Sequence, residues 1–537
     1  MRKYKRITAL ICLLAMLFCL CACEALEPVE ENLKGQSAGK DLGVISAADD
    51  VFTVNCNKGY SFNPLISTNT NNQLVCNLVY ENMLELDNSY NVLPNIITSW
   101  ETEDGQRWTF HVETERYFHD GSKMTASDVA YSVYCASGSD RFKGRLNYIY
   151  SSSAIDETTF VVSLSKVNMM FPMLLCIPVI KSGSYGDTYP QGTGPYTYSD
   201  DMSCLVAFEK YPGYAKLPVD KIYLSEYKGG IETISAFEDS LIDVVMNDPT
   251  APTNLGYGAS NEIRAINTTN MHYIGFNVYS SIFQYETMRL AMNYVFDRDY
   301  LKSQLGGFAE ATAIPVNPSC AWYSDDINSR YTYNLDVCRN IFKQLSFEDY
   351  DQDGYLEMKV GETVTEVNIR FLVCADSSIK VDMARRFADD MDSMGIQVTL
   401  MEYSWKEYNK ALENGAFDMY YGETRINPDF DVSRLVATGG SLNMGGLCSD
   451  KVDSAISDYL HSTEENRAEA CKTMCDTICG GGYLITLCFE KHQMITHRGV
   501  IVGVKACENN PMMNVANWTI SFDNVVDKND DTKGKGD

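Results

Sequence analysis

The sequence predicts an α/β protein of two or three lobes. Strand-like alternation and helix-like periodicity take turns along the chain, which argues for sheets with crossover helices rather than an all-helical or all-β body. The 537 residues, 45% of them hydrophobic, also exceed what one ordinary core holds. The clearest unit starts at Lys380, where Ala384, Phe387, Ala388 and Met391 make one apolar helix face that stops at Gly395. Ile396, Val398 and Leu400 then alternate as a strand, Lys406 to Asn414 reads as a second helix, and Phe417 to Tyr421 as a second strand. Such a helix, strand, helix, strand run implies strands joined by crossovers.

Earlier in the chain, Arg107 to Val112 reads as a strand with Trp108, Phe110 and Val112 on one face. His119-Asp120-Gly121 is good turn chemistry. Thr125 with Asp128 forms a capping box leading into a helix through Val129, Val133 and Tyr134. His119 beside Asp120 invites a catalytic reading, but no nucleophile or second base accompanies the pair, and the turn role is preferred.

The first residues combine Arg2, Lys3, Lys5 and Arg6 with an apolar run from Ile7 to Ala22, too short for a membrane span of roughly 20 residues with flanks. They read as a secretory signal. Its end, Leu20-Cys21-Ala22-Cys23, resembles the bacterial lipoprotein box, so Cys23 is expected to be lipidated; a plainly cleaved signal or an uncleaved anchor helix is the alternative. The acidic stretch that follows has little to bury and reads as a tether. With a formal charge of −28, the chain repels nucleic acid and anionic headgroups. Membrane contact should therefore come from the lipid on Cys23. Of 18 cysteines, three lie in the signal and the rest of the body's thiols sit singly in hydrophobic runs, where they pack as small apolar groups. Cys471, Cys475 and Cys479 share a helix face with Met474 and Ile478, and Ser462 with Glu465 is read as that helix's capping box. Core packing is preferred there over a metal site.

Several ordered segments resemble the extracellular solute-binding proteins of ABC importers, in the family that binds peptides, dipeptides and nickel chelates (family 5). They are Phe62-Asn63-Pro64-Leu65, Tyr80 to Leu84, Leu93-Pro94-Asn95, Ser99-Trp100-Glu101, Trp108-Thr109-Phe110 through Phe118-His119-Asp120-Gly121, and Thr125 to Val129. Gly192-Thr193-Gly194-Pro195-Tyr196, Ile242-Asp243-Val244, Gly275-Phe276-Asn277 and Met288 to Tyr294 follow. The resemblance implies a two-lobed periplasmic-binding-protein-like clamp (type II) with an extra subdomain. It divides the chain into a signal (1–22), a tether (23–45), a first lobe (46–66, 180–272 and 496–526), the extra subdomain (67–179), a second lobe (273–495) and a disordered tail (527–537). Two hinge strands are expected to cross near residues 272 and 495. Ligand would bind between the lobes and close them, and the closed form would dock on an ABC permease in the membrane.

For the ligand, the resemblance singles out Tyr421, Gly422, Glu423, Thr424 and Arg425. In peptide-binding relatives the matching segment offers main-chain hydrogen bonds, and a carboxylate four residues before the proline pairs with the ligand's amine. Here Thr424 holds that place, so Glu423 replaces the acid, or Arg425 binds a ligand carboxylate, or the two pair with each other at the surface. Asp349, Asp351, Asp353 and Gly354 match the first half of an EF-hand loop, but Val360 stands where the bidentate Glu belongs. An acidic turn and a structural calcium are both open; no other cofactor is expected.

The preferred function is capture of a short peptide or similar zwitterion, without catalysis, by a monomer on the extracellular face of the cytoplasmic membrane, or in the periplasm of a double-membraned cell. A nickel-chelate or haem ligand is the alternative within the family, and a calcium-dependent surface adhesion protein the alternative outside it. An enzyme is disfavoured by six scattered histidines and the lack of GxSxG or HExxH elements.

Overall fold

The computed structural model describes residues 51–250, 261–360 and 362–522. The signal, Cys23, the whole tether and the tail from residue 527 lie outside the described residues. The strands of the two larger sheets, in chain order, are β1 (Thr53–Asn55), β2 (Ile97–Thr102), β3 (Arg107–Val112), β4 (Ile149–Ala154), β5 (Thr159–Leu164), β6 (Tyr196–Tyr198), β7 (Cys204–Ala207) and β8 (Lys221–Ser225). They continue as β9 (Val244–Asn247), β10 (Asn261–Phe276), β11 (Ala309–Ala311), β12 (Asn368–Cys374), β13 (Gln397–Tyr403), β14 (Met419–Arg425) and β15 (Ile485–His497). The helices used below are α1 (Ala126–Gly138), α2 (Lys143–Leu146), α3 (Ser378–Asp392), α4 (Trp405–Glu413), α5 (Asp450–Leu460) and α6 (Arg467–Gly480).

Eleven strands form one mixed sheet in the order β13-β12-β14-β10-β15-β9-β1-β8-β7-β6, with β11 added on β15. β2 to β5 form a separate four-stranded antiparallel sheet. The long strands β10 and β15 run antiparallel from Asn261 opposite His497 to Ile274 opposite Ile485, and carry one half of the sheet on each end. Their register breaks between Asn267 and Met271, opposite Lys491 and Phe489. A two-lobed clamp results, its halves joined through two strands whose pairing is weakest at the joint.

Local chemistry explains the second half of the sheet. α3 buries Val381, Met383, Ala384, Phe387 and Met391 on one face, and Phe387 stacks on Phe296 at 4.6 Å. Gly395, at φ +77°, makes the left-handed turn that ends this unit and starts β13. β12 and β13 pair in parallel, as the crossover demands. In the four-stranded sheet, Trp108, Phe110 and Val112 face inward as the alternation predicts, and Thr125 and Asp128 form the capping box of α1. Tyr134, expected on that helix's run of apolar positions, is 71% exposed.

One helix start is corrected. α6 begins after Asn466, and the Ser462 hydroxyl donates to the Tyr459 carbonyl at the end of α5 instead of capping α6. Cys471, Cys475 and Cys479 are nonetheless buried on its inner face. All 14 cysteines among the described residues are free, and all but Cys448 are buried. Among the described residues, no helix is long and apolar enough to cross a membrane.

Candidate functional site

β14 lies against β10 along its length, from Arg425 opposite Asn270 to Met419 opposite Phe276. β12 covers its other edge at Met419 and Tyr420. From Tyr421 onward that edge has no strand partner among the described residues, although the Tyr421 carbonyl accepts a 2.7 Å hydrogen bond from the Tyr408 hydroxyl. Gly422 is required by a close approach: a Cβ there would stand 2.3 Å from the Tyr273 ring. Beside this edge opens a cavity of about 280 Å³ whose walls include Tyr273, Lys380, Trp405, Tyr408, Glu423 and Met444. Trp405 stacks on Tyr408 at 5.9 Å and is 60% exposed. Flat aromatic rings and one charged rim suit a ligand with an apolar body and a polar backbone.

The charged residues of the segment are held by separate partners. Glu423 receives Lys380 Nζ at 2.5 Å and Asn270 Nδ2 at 2.7 Å. Burial opposes its charge, but His272, Lys380 and Asn270 outweigh that and hold the carboxyl at about 2. Asn270 also reaches Glu490, which is fully buried and lies 2.5 Å from His272 Nε2. The other nitrogen of His272 shares a 2.9 Å hydrogen bond with the Tyr421 hydroxyl. Arg425 points elsewhere: its side chain is 58% exposed, with Nε 3.7 Å from Glu508 and Nη2 3.4 Å from His492. Among the described residues no ion pair links Glu423 to Arg425, so the third sequence reading, a mutual surface pair, does not hold.

A second cavity, also about 280 Å³, opens beside Arg425, Ile426 and Asn427 and is walled on its far side by residues near Pro64, Arg141 and Glu508. Two larger cavities, about 410 and 450 Å³, touch no residue of β14. Sequence reasoning thus named a strand segment that borders both cavities but did not name Asn270, His272, Lys380, Trp405, Tyr408 and Glu490. A signal existed for the last: Glu490 directly follows the mainly apolar, strand-like run from Ile485 to Phe489, where a carboxylate has to find a partner.

Asp349, Asp351 and Asp353 do gather, and a residue the sequence reading did not name joins them. Glu357 brings a carboxylate oxygen within 4.8 Å of theirs. It is 3% exposed; Oε2 accepts from the Tyr350 amide at 2.7 Å, and Oε1 is buried with no hydrogen-bond partner. Gly354, at φ +100°, makes the tight turn between them. His119 keeps its turn role. Its Nε2 lies 3.1 Å from the Gly194 carbonyl, burial pulls its pKa to about 4, and Gly121 at φ +83° closes the turn.

A clamp of two sheet halves, with cavities on either side of one open strand end, defines a ligand-binding protein of the periplasmic type. The model of the bacterial extracellular solute-binding proteins, family 5 (middle region), matches residues 91–445, and the chain belongs to this family. It is 22% identical to the heme-binding protein A of Haemophilus influenzae, over 73% of this chain and 78% of that protein. It is 21% identical to the dipeptide-binding protein of Escherichia coli, over 70% and 77%. Among solved structures, the nickel ABC transporter protein of Bacillus halodurans superposes with a TM-score of 0.70 at 16% identity, covering 88% of this chain and 99% of that one.

Proposed function

We propose that this chain captures a short peptide or similar zwitterion between its lobes and delivers it to an ABC permease. The observation that carries this reading is the open edge of β14 beyond Tyr420, flanked by an aromatic cavity and ended by Arg425. An extended peptide can add to such an edge through its main chain. Of the two charged candidates, Glu423 is already matched by Lys380, whereas among the described residues Arg425 has no carboxylate closer than 3.7 Å, so Arg425 is the anchor for the ligand's carboxylate. A mass spectrum of what the natively purified protein releases on denaturation should show peptides. Haem or a metal chelate in their place would overturn the reading in favour of the family's other ligand chemistries.

Calorimetry on a tripeptide, its N-acetylated form and its C-amidated form tests the anchor. Arg425→Met should cost the free-carboxylate ligands about 1.5–3 kcal/mol, roughly tenfold to hundredfold in affinity, and leave the amide nearly unchanged. Glu423→Gln should cost less, because the residue acts through Lys380. Unchanged affinities throughout would remove the segment from the site.

The reading includes a diacylglyceryl group on Cys23 that tethers the protein outside the cytoplasmic membrane. Cys23→Ala should release it to the medium or periplasm in a fractionation experiment, and full membrane retention would refute the anchor.

Calcium at Asp349, Asp351, Asp353 and Glu357 is also proposed, on the strength of the buried, unpartnered Glu357 oxygen. Terbium should give tyrosine-sensitised luminescence through Tyr350 and Tyr355, and Glu357→Gln should abolish it. Because the loop stands apart from both β14 cavities, EDTA should leave ligand affinity within about twofold, a smaller change than one hydrogen bond's worth.

A further inference from the structure

Four guanidiniums, those of Arg141, Arg145, Arg425 and Arg434, line the cavity beside Arg425, and Glu508 is the one carboxylate among its walls. In a chain with a formal charge of −28, three surplus positive charges around 280 Å³ are a departure from the general surface. The arginines are held in place by the fold. Arg141 Nη1 donates to the Pro64 carbonyl at 2.6 Å, and Arg141 and Arg145 lie over the Phe142 ring at 4.9 and 5.6 Å. Arg434 Nε donates to Ser441 at 3.2 Å. Arg145 Nη1 is buried and has no hydrogen-bond partner.

The nearby acids answer these charges only in part. Glu508 spends hydrogen-bonding capacity on the Thr269 amide, 2.9 Å away, and stands 3.7 Å from Arg425. Asp429, which also acts on Arg145, is bonded to Asn168 at 2.8 Å and is pushed up to about 6 by burial and by Asp431. Burial is the main cause that draws Arg141 down to about 10; Cys76 opposes it, and Arg145 and Arg425 add to it.

We infer that this cavity is a subsite for a ligand group bearing two or more closely spaced negative oxygens, either the paired carboxylates of an acidic C-terminal residue or a phosphate. The inference rests on the reading that ligand lies along Tyr421 to Arg425. One carboxylate has acceptor positions for about two guanidinium forks. Four forks, one with a buried idle donor, call for a second carboxylate or for the three terminal oxygens of a phosphate.

The test is calorimetry on the full-length protein with Ala-Ala-Ala, Ala-Ala-Asp and Ala-Ala-phosphoserine, with citrate and inorganic phosphate as simple anions. At least one acidic peptide should bind on the order of tenfold more tightly than Ala-Ala-Ala, and whichever gains more identifies the source of the charge. Arg145→Met and Arg434→Met should shrink that ratio towards one. Arg141 is left intact because it also holds the Pro64 carbonyl. If the wild-type protein binds all three peptides equally, the subsite is wrong and the peptide reading stands. If citrate or phosphate binds and no peptide does, the peptide reading fails and the subsite stands. Binding of neither peptides nor anions overturns the subsite.

Discussion

His272→Leu is expected to cost about 3–5 kcal/mol of stability, read as a lowered urea midpoint at neutral pH. His272 is 1% exposed and Glu490 fully buried, and their 2.5 Å contact is the main answer to the glutamate's charge. Removing the imidazole leaves that buried carboxylate with Asn270 as its one remaining side-chain partner among the described residues. Breaking one side of a buried pair is far more costly than replacing both sides with apolar groups. The double substitution His272→Leu/Glu490→Leu should therefore recover much of the loss, and the cycle should show strong coupling. The pair stands at the joint of β10 and β15 and touches Tyr421 through the imidazole, so the single variant should also weaken ligand binding. A loss below about 1 kcal/mol, the scale of an ordinary hydrogen bond, would mean that the network is not holding the joint.

What the sequence revealed of this architecture follows from how local each signal is. The unit from α3 to β14 was legible because its periodicity and the Gly395 stop act within a few residues. The capping box at Thr125 and Asp128 was legible for the same reason. The box expected at Ser462 and Glu465 failed because serine has a second local choice, the carbonyl three residues back, and takes it. In the acidic loop, EF-hand spacing directs attention to Val360. The chain instead folds back so that Glu348 and Glu357 bridge, placing Glu357 beside the aspartates. The segment Tyr421 to Arg425 was singled out through family resemblance, and the partners that hold its side chains were not. Lys380 and Trp405 come from the ends of neighbouring helices, and His272 and Glu490 from two different strands. The four arginines of the second cavity are scattered from Arg141 to Arg434, and only the folded chain assembles them.

Gly445→Ala should be the most damaging conservative substitution near the aromatic cavity, lowering stability by about 3 kcal/mol or more. A Cβ at this position would stand 1.6 Å from the Phe276 carbonyl oxygen and 2.6 Å from its carbon. Both are backbone atoms, at the end of β10, and cannot rotate aside as a side chain would. The Gly445 carbonyl also accepts the Val278 amide at 3.0 Å, so moving the segment outward breaks a hydrogen bond as well. Leu442 and Met444, just before it, line the cavity beside Tyr421. Displacement should therefore open that wall and weaken ligand binding together with stability. Gly439→Ala is the matched control. Gly439 sits at φ +74°, yet an added Cβ meets nothing within 4 Å, so its cost is backbone strain alone, about 1 kcal/mol. Urea denaturation of the two variants separates the effects: a large gap between them is the expected result, and equal losses would show that the segment can shift freely from β10.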